Sequence, residues 1–163
     1  RGQTRVVVND GGVEDAADFV RDELSRLLAI RPEDPATALL VLTSPQFEDF
    51  GKLMSFQSQA QAIAYELAFS QGAAEVQVLP FHPDASYSEL VNDPADCSTR
   101  SPLPMLHLLR DADVNEAENM WALQHSHGKM PGIQQRNSAY LRGLGWELAS
   151  SMCKRCDPQP PRL

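Results

Sequence analysis

Apolar runs of strand and helix period alternate through the first half of this chain, and this alternation constrains the fold more than any other feature. The β-branched run Val6–Val8 predicts a strand, and residues 13–30 then place apolar side chains at helical spacing. Residues 36–43 form a continuous apolar run typical of a buried parallel strand, and residues 46–71 predict a second helix. Residues 75–81 predict a third strand. Two successive strand–helix–strand units favour a mainly parallel sheet with helices packed on it.

A fourth strand is predicted at residues 105–109, after a long connection over residues 84–104. The sequence does not establish whether this strand runs parallel to the third. The expected fold is therefore α/β, with one domain over residues 1–152 and about four strands in its sheet. Residues 153–163 are rich in proline and are expected to form an extended tail that leaves the domain and touches a neighbouring chain.

Two further helices are predicted in the second half of the chain. Asp113, followed three residues later by Glu116, resembles a capping box and predicts a helix start. A closing helix is predicted where Ile133, Leu141 and Leu148 share one face with other apolar residues.

The charge and cysteine content narrow the classes of partner. The chain has 163 residues and a formal net charge of −8 at pH 7, which argues against nucleic acid as the primary partner, because phosphate backbones require clustered Lys and Arg. No apolar run approaches the roughly 18 residues of a membrane span, so no transmembrane segment is expected. Three cysteines without disulfide spacing favour a reducing compartment, and the mitochondrion or plastid is expected if a targeting segment has been removed.

Two motifs stand close together in the chain. Residues 99–110 read Thr-Arg-Ser-Pro-Leu-Pro-Met-Leu-His-Leu-Leu-Arg, and Phe81-His82-Pro83 lies shortly upstream. At this separation both resemble the domain-of-unknown-function family fourteen-fifteen, whose members carry Phe-His-Pro and then Asn-Arg-Ser-Pro-x-Pro running into Leu-His-Leu-Leu-Arg. A third block resembles the family's closing helix: Ile133, Arg136, Asn137, Leu141, Arg142, Leu144 and Gly145.

The resemblance covers roughly residues 3–146 and implies no settled activity. Family members usually begin with a Leu-Cys-Pro-Phe-type block upstream of the first strand, and this chain opens at Arg1 without an equivalent cysteine. If that cysteine were part of a site, this chain would lack it.

The motif residues suggest an anion site. Ligands of open parallel sheets bind beyond the carboxyl ends of the strands, and His82 and the connection bearing Arg100 are expected at that edge. Arg110 would join them only if the fourth strand is parallel to the third. Arginine offers bidentate donors to carboxylate or phosphate, so these residues and His107 could bind a small anion. The alternative is that both arginines have a structural role and pair with carboxylates. For Arg110 we favour this structural role.

Three side chains have ordinary structural alternatives. His82 is the candidate general base, but it could equally hold the turn after the third strand. His107 alternates with apolar residues and is more typical of a core histidine. Asp10 could contact a ligand or cation, although Asp-Gly is first of all a turn sequence.

No cofactor is predicted from the sequence. The spacing of Cys153 and Cys156 allows a zinc site with His125 and His127 as further ligands, but the predicted metal content is none, because one cysteine pair near a proline-rich tail is a weak signal.

Two function classes remain. The favoured interpretation is a non-catalytic accessory or scaffold subunit whose partners are the other protein subunits of a larger assembly. The alternative is an enzyme or binding protein for a small anionic metabolite, which would use His82 and Arg100.

Overall fold

The structure is a computed structural model that describes residues 2–124 and 132–154. Its four strands form one sheet: β1 (Gln3–Asn9), β2 (Ala36–Leu42), β3 (Val76–Phe81) and β4 (Met105–Arg110). The strand order is β1-β2-β4-β3, with β1 parallel to β2 and β4 antiparallel to both of its neighbours. The α/β class and the four strands are confirmed, but the prediction of a mainly parallel sheet is wrong. The sheet is mixed.

The position of the connection between β3 and β4 explains the antiparallel direction of β4. The His82 N–H donates to the Thr99 carbonyl oxygen over 3.1 Å, so the far part of the connection returns to the edge where β3 ends. The Leu42 N–H donates to the Pro104 carbonyl oxygen over 2.9 Å and fixes the start of β4 beside the end of β2. Because β4 begins at this carboxyl edge, it can only run back, and it fills the gap between β2 and β3.

Helices flank the sheet and follow it. The helices are α1 (Val13–Leu28), α2 (Phe50–Gln71), α3 (Asp111–Gln124), α4 (Ile133–Leu144) and α5 (Trp146–Lys154), with short 3-10 segments at Pro45–Phe47 and Pro94–Thr99. The closing helix is divided into α4 and α5 at Gly145, whose φ of 79° lies in the left-handed region that favours glycine. None of the helices in the described residues is long and apolar enough to cross a membrane.

Local capping sets the ends of α2. Ser44-Pro45 starts a 3-10 turn, and α2 begins at Phe50, later than the predicted residue 46, because the Asp49 carboxylate accepts the Lys52 N–H over 2.8 Å. The helix stops at Gly72, as predicted, where the backbone turns left-handed with φ 60°.

The two faces of the sheet differ in burial. The first face packs against α1 and α2 around fully buried leucines such as Leu24, Leu40, Leu53 and Leu108. Side chains alternate along each strand, so the opposite set forms the second face. In strand order it comprises Thr4, Val6, Val8, Thr37, Leu39, Val41, Met105, His107, Leu109, Gln77, Leu79 and Phe81. Among these residues only Val41 is buried, so the second face is half-exposed.

Candidate functional site at the carboxyl edge

The carboxyl edge of β3 carries His82, whose side chain is only 1% exposed. Its Nε2 donates to the Phe47 carbonyl oxygen over 3.1 Å, since a carbonyl can only accept. Its Nδ1 accepts the Asp84 N–H over 3.0 Å, and its ring packs against Phe50 at 5.6 Å. Both nitrogens are therefore occupied by backbone groups. This arrangement holds the turn after β3.

Arg100 lies at the same edge, close to the backbone of His82 through Thr99. Its Nε donates to the Ala85 carbonyl oxygen over 3.3 Å, and its guanidinium carbon lies 5.0 Å from the centre of the Trp146 ring. No carboxylate among the described residues forms a salt bridge with Arg100, and its two outer nitrogens donate no hydrogen bond within that part of the chain. Arg100 also lines an open cleft of about 270 Å³.

Polar and acidic residues line this cleft. They include Ser86, Ser88, Asn92, Glu89 and Asp96. The Asp96 carboxylate is engaged from inside, because it accepts the N–H groups of Tyr87 at 3.1 Å and Ser88 at 3.2 Å. Burial, and then the charge of Asp96, raise the pKa of Tyr87. The residues that line the cleft thus combine one arginine with serine and acidic residues.

An ion pair between Asp93 and Arg142, which was not predicted from the sequence, stabilises the segment beside the cleft. Asp93 is buried and receives Arg142 of α4 in a bidentate arrangement, with N–O distances of 3.0 and 2.7 Å. The same carboxylate caps the 94–99 segment by accepting the Ala95 N–H over 3.0 Å. The Arg142 guanidinium and this N–H hold the pKa of Asp93 well below its usual range. The Asp93-Pro94 pair is a cap-then-proline sequence, and this is the signal that could have identified Asp93.

Arg110 lies at the opposite edge of the sheet, and the prediction that it joins His82 and Arg100 is wrong. The reason is the antiparallel direction of β4, which ends at the amino edge of β2 and β3. There the Arg110 side chain binds the Asp113 carboxylate through Nε at 2.8 Å and Nη2 at 3.0 Å. It also donates to the carbonyl oxygens of Ile30, Arg31 and Asp34. All of its donors are used inside the fold, so Arg110 is a structural tie.

His107 lies in the middle of the second face, away from the cleft. The Thr37 hydroxyl donates to the Leu108 carbonyl oxygen over 2.8 Å and accepts from His107 Nε2 over 2.6 Å. Burial lowers the pKa of His107, which keeps the ring neutral near pH 7. Its position agrees with a packed histidine of the sheet.

Asp10 is exposed at the carboxyl edge, in the turn after β1. The turn is held by its neighbour Asn9, whose side-chain oxygen accepts the Gly11 N–H over 3.1 Å. Apart from its position beside the strand ends, no contact in the described part of the chain brings Asp10 together with Arg100.

The cysteine pair that allowed a zinc site falls partly outside the described residues, which exclude Cys156, His125 and His127. Within the described ranges, no group of three or more His, Cys, Asp or Glu side chains is arranged to hold a metal ion. Cys153 belongs to α5, which continues past residue 152, and its thiol lies 3.7 Å from the Cys97 carbonyl oxygen. Burial, and then Cys153, raise the pKa of Cys97 to about 11, so this thiol is not an activated nucleophile.

Comparison with known proteins identifies the family and goes no further. No curated protein and no solved structure matches the chain. The profile of the family described as "Protein of unknown function (DUF1415)" matches residues 1–150. The chain therefore belongs to the DUF1415 family.

Proposed function

We propose that this chain is a non-catalytic accessory subunit that binds another protein of a larger assembly through the second face of its sheet. The observation that carries the proposal is the exposure of apolar side chains on that face. Val6 is 61% exposed, Val8 62% and Leu79 38%. Contiguous apolar patches on a protein surface mark interaction sites.

Helix α3 carries further exposed apolar side chains. It contributes no buried residue, and Met120 is 52% exposed and Leu123 74%. A surface helix normally buries its apolar stripe. The partner that fits is a protein that presents an amphipathic helix, whose apolar stripe would lie against the second face.

The engagement of His82 supports a non-catalytic role. A general base needs a nitrogen within hydrogen-bond reach of the proton that it removes. Both His82 nitrogens are hydrogen-bonded to backbone groups, and the donors of Arg110 are bonded at the other edge of the sheet. The family motifs then have a structural role, because they hold the connection between β3 and β4 in place.

Replacing Leu79 with glutamate tests the docking face. The variant is expected to leave the assembly, because docking would bury its carboxylate without a partner. The free energy of unfolding should change by less than about 1 kcal/mol, since Leu79 is already exposed in the free chain. The measurement is the native molecular mass of tagged full-length variants in extracts of the source.

The matched control is Tyr65→Glu on α2, at a position 53% exposed on the helical side. It should stay in the assembly with the unaltered chain. Equal retention of the two variants would contradict docking through the second face.

A second candidate function is binding of a small anionic metabolite in the Arg100 cleft. It is favoured by the outer guanidinium nitrogens, which make no hydrogen bond to the described residues while Trp146 and Ala85 hold the group in place. A fixed guanidinium loses little freedom when it binds a carboxylate or phosphate. The carboxylates of Glu89 and of the buried Asp96 oppose multiply charged anions, so a monoanion fits better.

An Arg100→Lys variant tests this candidate, because lysine keeps the charge and loses the bidentate fork. If the cleft binds acetate or phosphate, an anion concentration of ten times the dissociation constant should stabilise the unaltered chain by about 1.4 kcal/mol. Its Tm should then rise by roughly 3–6 °C. The variant should show a clearly smaller shift in the same thermal scan. Arg31→Lys, at a site 70% exposed, is the control and should respond like the unaltered chain. Equal shifts in all three proteins would exclude the cleft.

A further inference from the structure

The two edge strands of the sheet, β3 and β1, differ in whether their outward backbone groups are hydrogen-bonded. The β3 edge is closed by side chains of α2. Two α2 side chains bond its outward backbone: Gln57 donates to the Val78 carbonyl oxygen at 2.9 Å, and Gln61 donates to that of Val76 at 2.9 Å. Gln61 also accepts the Val78 N–H over 2.8 Å. Pro80 has no N–H to offer. No further strand can therefore add at β3.

Within residues 2–124 and 132–154, nothing gives the β1 edge these protections. Its ladder to β2 uses the odd-numbered residues, as shown by the bonds from Gln3 N–H to the Pro35 carbonyl oxygen at 2.8 Å and from Thr43 N–H to the Asn9 carbonyl oxygen at 2.9 Å. The backbone N–H and C=O groups of Thr4, Val6 and Val8 consequently point away from the sheet. The register is unbroken over seven residues, and the strand contains no proline or lysine. Exposed apolar edges of this kind are templates for strand pairing.

We propose that two copies of this chain pair through β1 in antiparallel register about a two-fold axis at Val6, forming one continuous eight-stranded sheet. This register sets Val6 against the partner's Val6, and Thr4 against the partner's Val8. The residues whose backbone groups point outward, Thr4, Val6 and Val8, then face the same three residues of the second copy. They form three hydrogen-bonded pairs, in which every outward N–H meets a carbonyl oxygen. The interface is isologous and closes on itself.

The side chains favour a second copy as the occupant of this edge. Valine meets valine at the axis, and β-branched pairs stabilise antiparallel strands. Arg5 is the only charged residue of β1, and its guanidinium is neutralised by Glu23 at 2.8 and 3.3 Å. In the proposed register Arg5 lies opposite the partner's Val7, so no like charges oppose each other. The inference does not rest on the proposed docking function, because pairing uses the outward backbone of β1, whereas docking uses the second-face side chains, among them Val6, Val8 and Leu79.

Cysteine cross-linking of the full chain tests the register. Opposed residues of a hydrogen-bonded antiparallel pair have Cα atoms about 5.5 Å apart, within the range that a disulfide spans. Val6→Cys should therefore form a covalent dimer under copper–phenanthroline, which oxidises the two thiols as dioxygen is reduced. The two copies of position 8 would lie four residues apart along the strands, roughly 13 Å, so Val8→Cys should remain at the background of the unaltered chain. Equal yields for the two variants, or none above background, would overturn the register.

Sedimentation of the unaltered chain and of two glutamate variants tests the dimer itself. The unaltered chain should sediment as a dimer, and Val6→Glu should be monomeric, because two carboxylates would meet at the axis. Leu79→Glu on the opposite edge strand should remain dimeric. A monomeric unaltered chain would overturn the proposal, and so would loss of the dimer in Leu79→Glu alone, which would assign the contact to the second face.

Discussion

Replacing Arg110 with methionine is expected to lower the free energy of unfolding by about 3–5 kcal/mol, which corresponds to a fall in Tm of roughly 6–20 °C. Arg110 is 4% exposed and holds the Asp113 carboxylate together with three carbonyl oxygens from the segment between α1 and β2. Methionine fills part of the volume but leaves these acceptors without donors in a buried place. Chemical denaturation followed by circular dichroism measures the loss.

Arg31→Met is the matched control for this prediction. Arg31 is 70% exposed and pairs with Glu33 and Asp34 on the surface, so its replacement should cost less than about 1 kcal/mol. Arg110→Lys should fall between the two, since it retains the charge and loses the fork. If Arg110→Met cost no more than Arg31→Met, the structural role assigned to Arg110 would be contradicted.

Replacing His82 with alanine is expected to cost about 3–4 kcal/mol of stability. The substitution opens a cavity beside Phe50 and leaves the Phe47 carbonyl and the Asp84 N–H without their partner. The connection between β3 and β4 should loosen as well, because the backbone of His82 anchors it at Thr99. Hydrogen exchange at the backbone amide of position 82 should therefore be faster in the variant than in the unaltered chain.

Two conservative variants separate the bonds that His82 makes. Asparagine can still accept the Asp84 N–H in a side-chain turn, and glutamine can place an amide N–H near the Phe47 carbonyl, so each should cost less than alanine. A loss below about 1 kcal/mol for His82→Ala would contradict the structural account and return His82 to the candidate catalytic residues.

Local sequence patterns were sufficient for the parts of the fold that depend on neighbours in the chain. The apolar period predicts α1 and the strand runs, and Gly72 ends α2 because a left-handed residue is needed there. The Asp113–Glu116 pattern was less reliable: α3 begins at Asp111, since the Asp113 carboxylate is used by Arg110 and by the Ala36 N–H. Tertiary contacts thus displaced a local capping signal.

The direction of β4 could not be read from residues 105–110, because an alternating strand has the same pattern in either direction. Two long-range backbone bonds, from His82 to Thr99 and from Leu42 to Pro104, decide it. The position of Arg110 followed from that direction alone.

The candidate cleft was only partly predictable for the same reason. The edge position of Arg100 followed from the end of β3, but its contact with Trp146 and the pairing of Asp93 with Arg142 join segments more than 40 residues apart. Nothing in the spacing of these residues encodes such contacts.

The native mass of the untagged protein in an extract of its source tests the central proposal most directly. Size-exclusion chromatography with mass-resolved detection should place the 18.0 kDa chain in a stable complex several times the mass of its own dimer. Dilution at low protein concentration should preserve that complex, because an apolar sheet face completed by a partner dissociates slowly. Elution of all of the protein as a free monomer or homodimer would contradict the role of an accessory subunit.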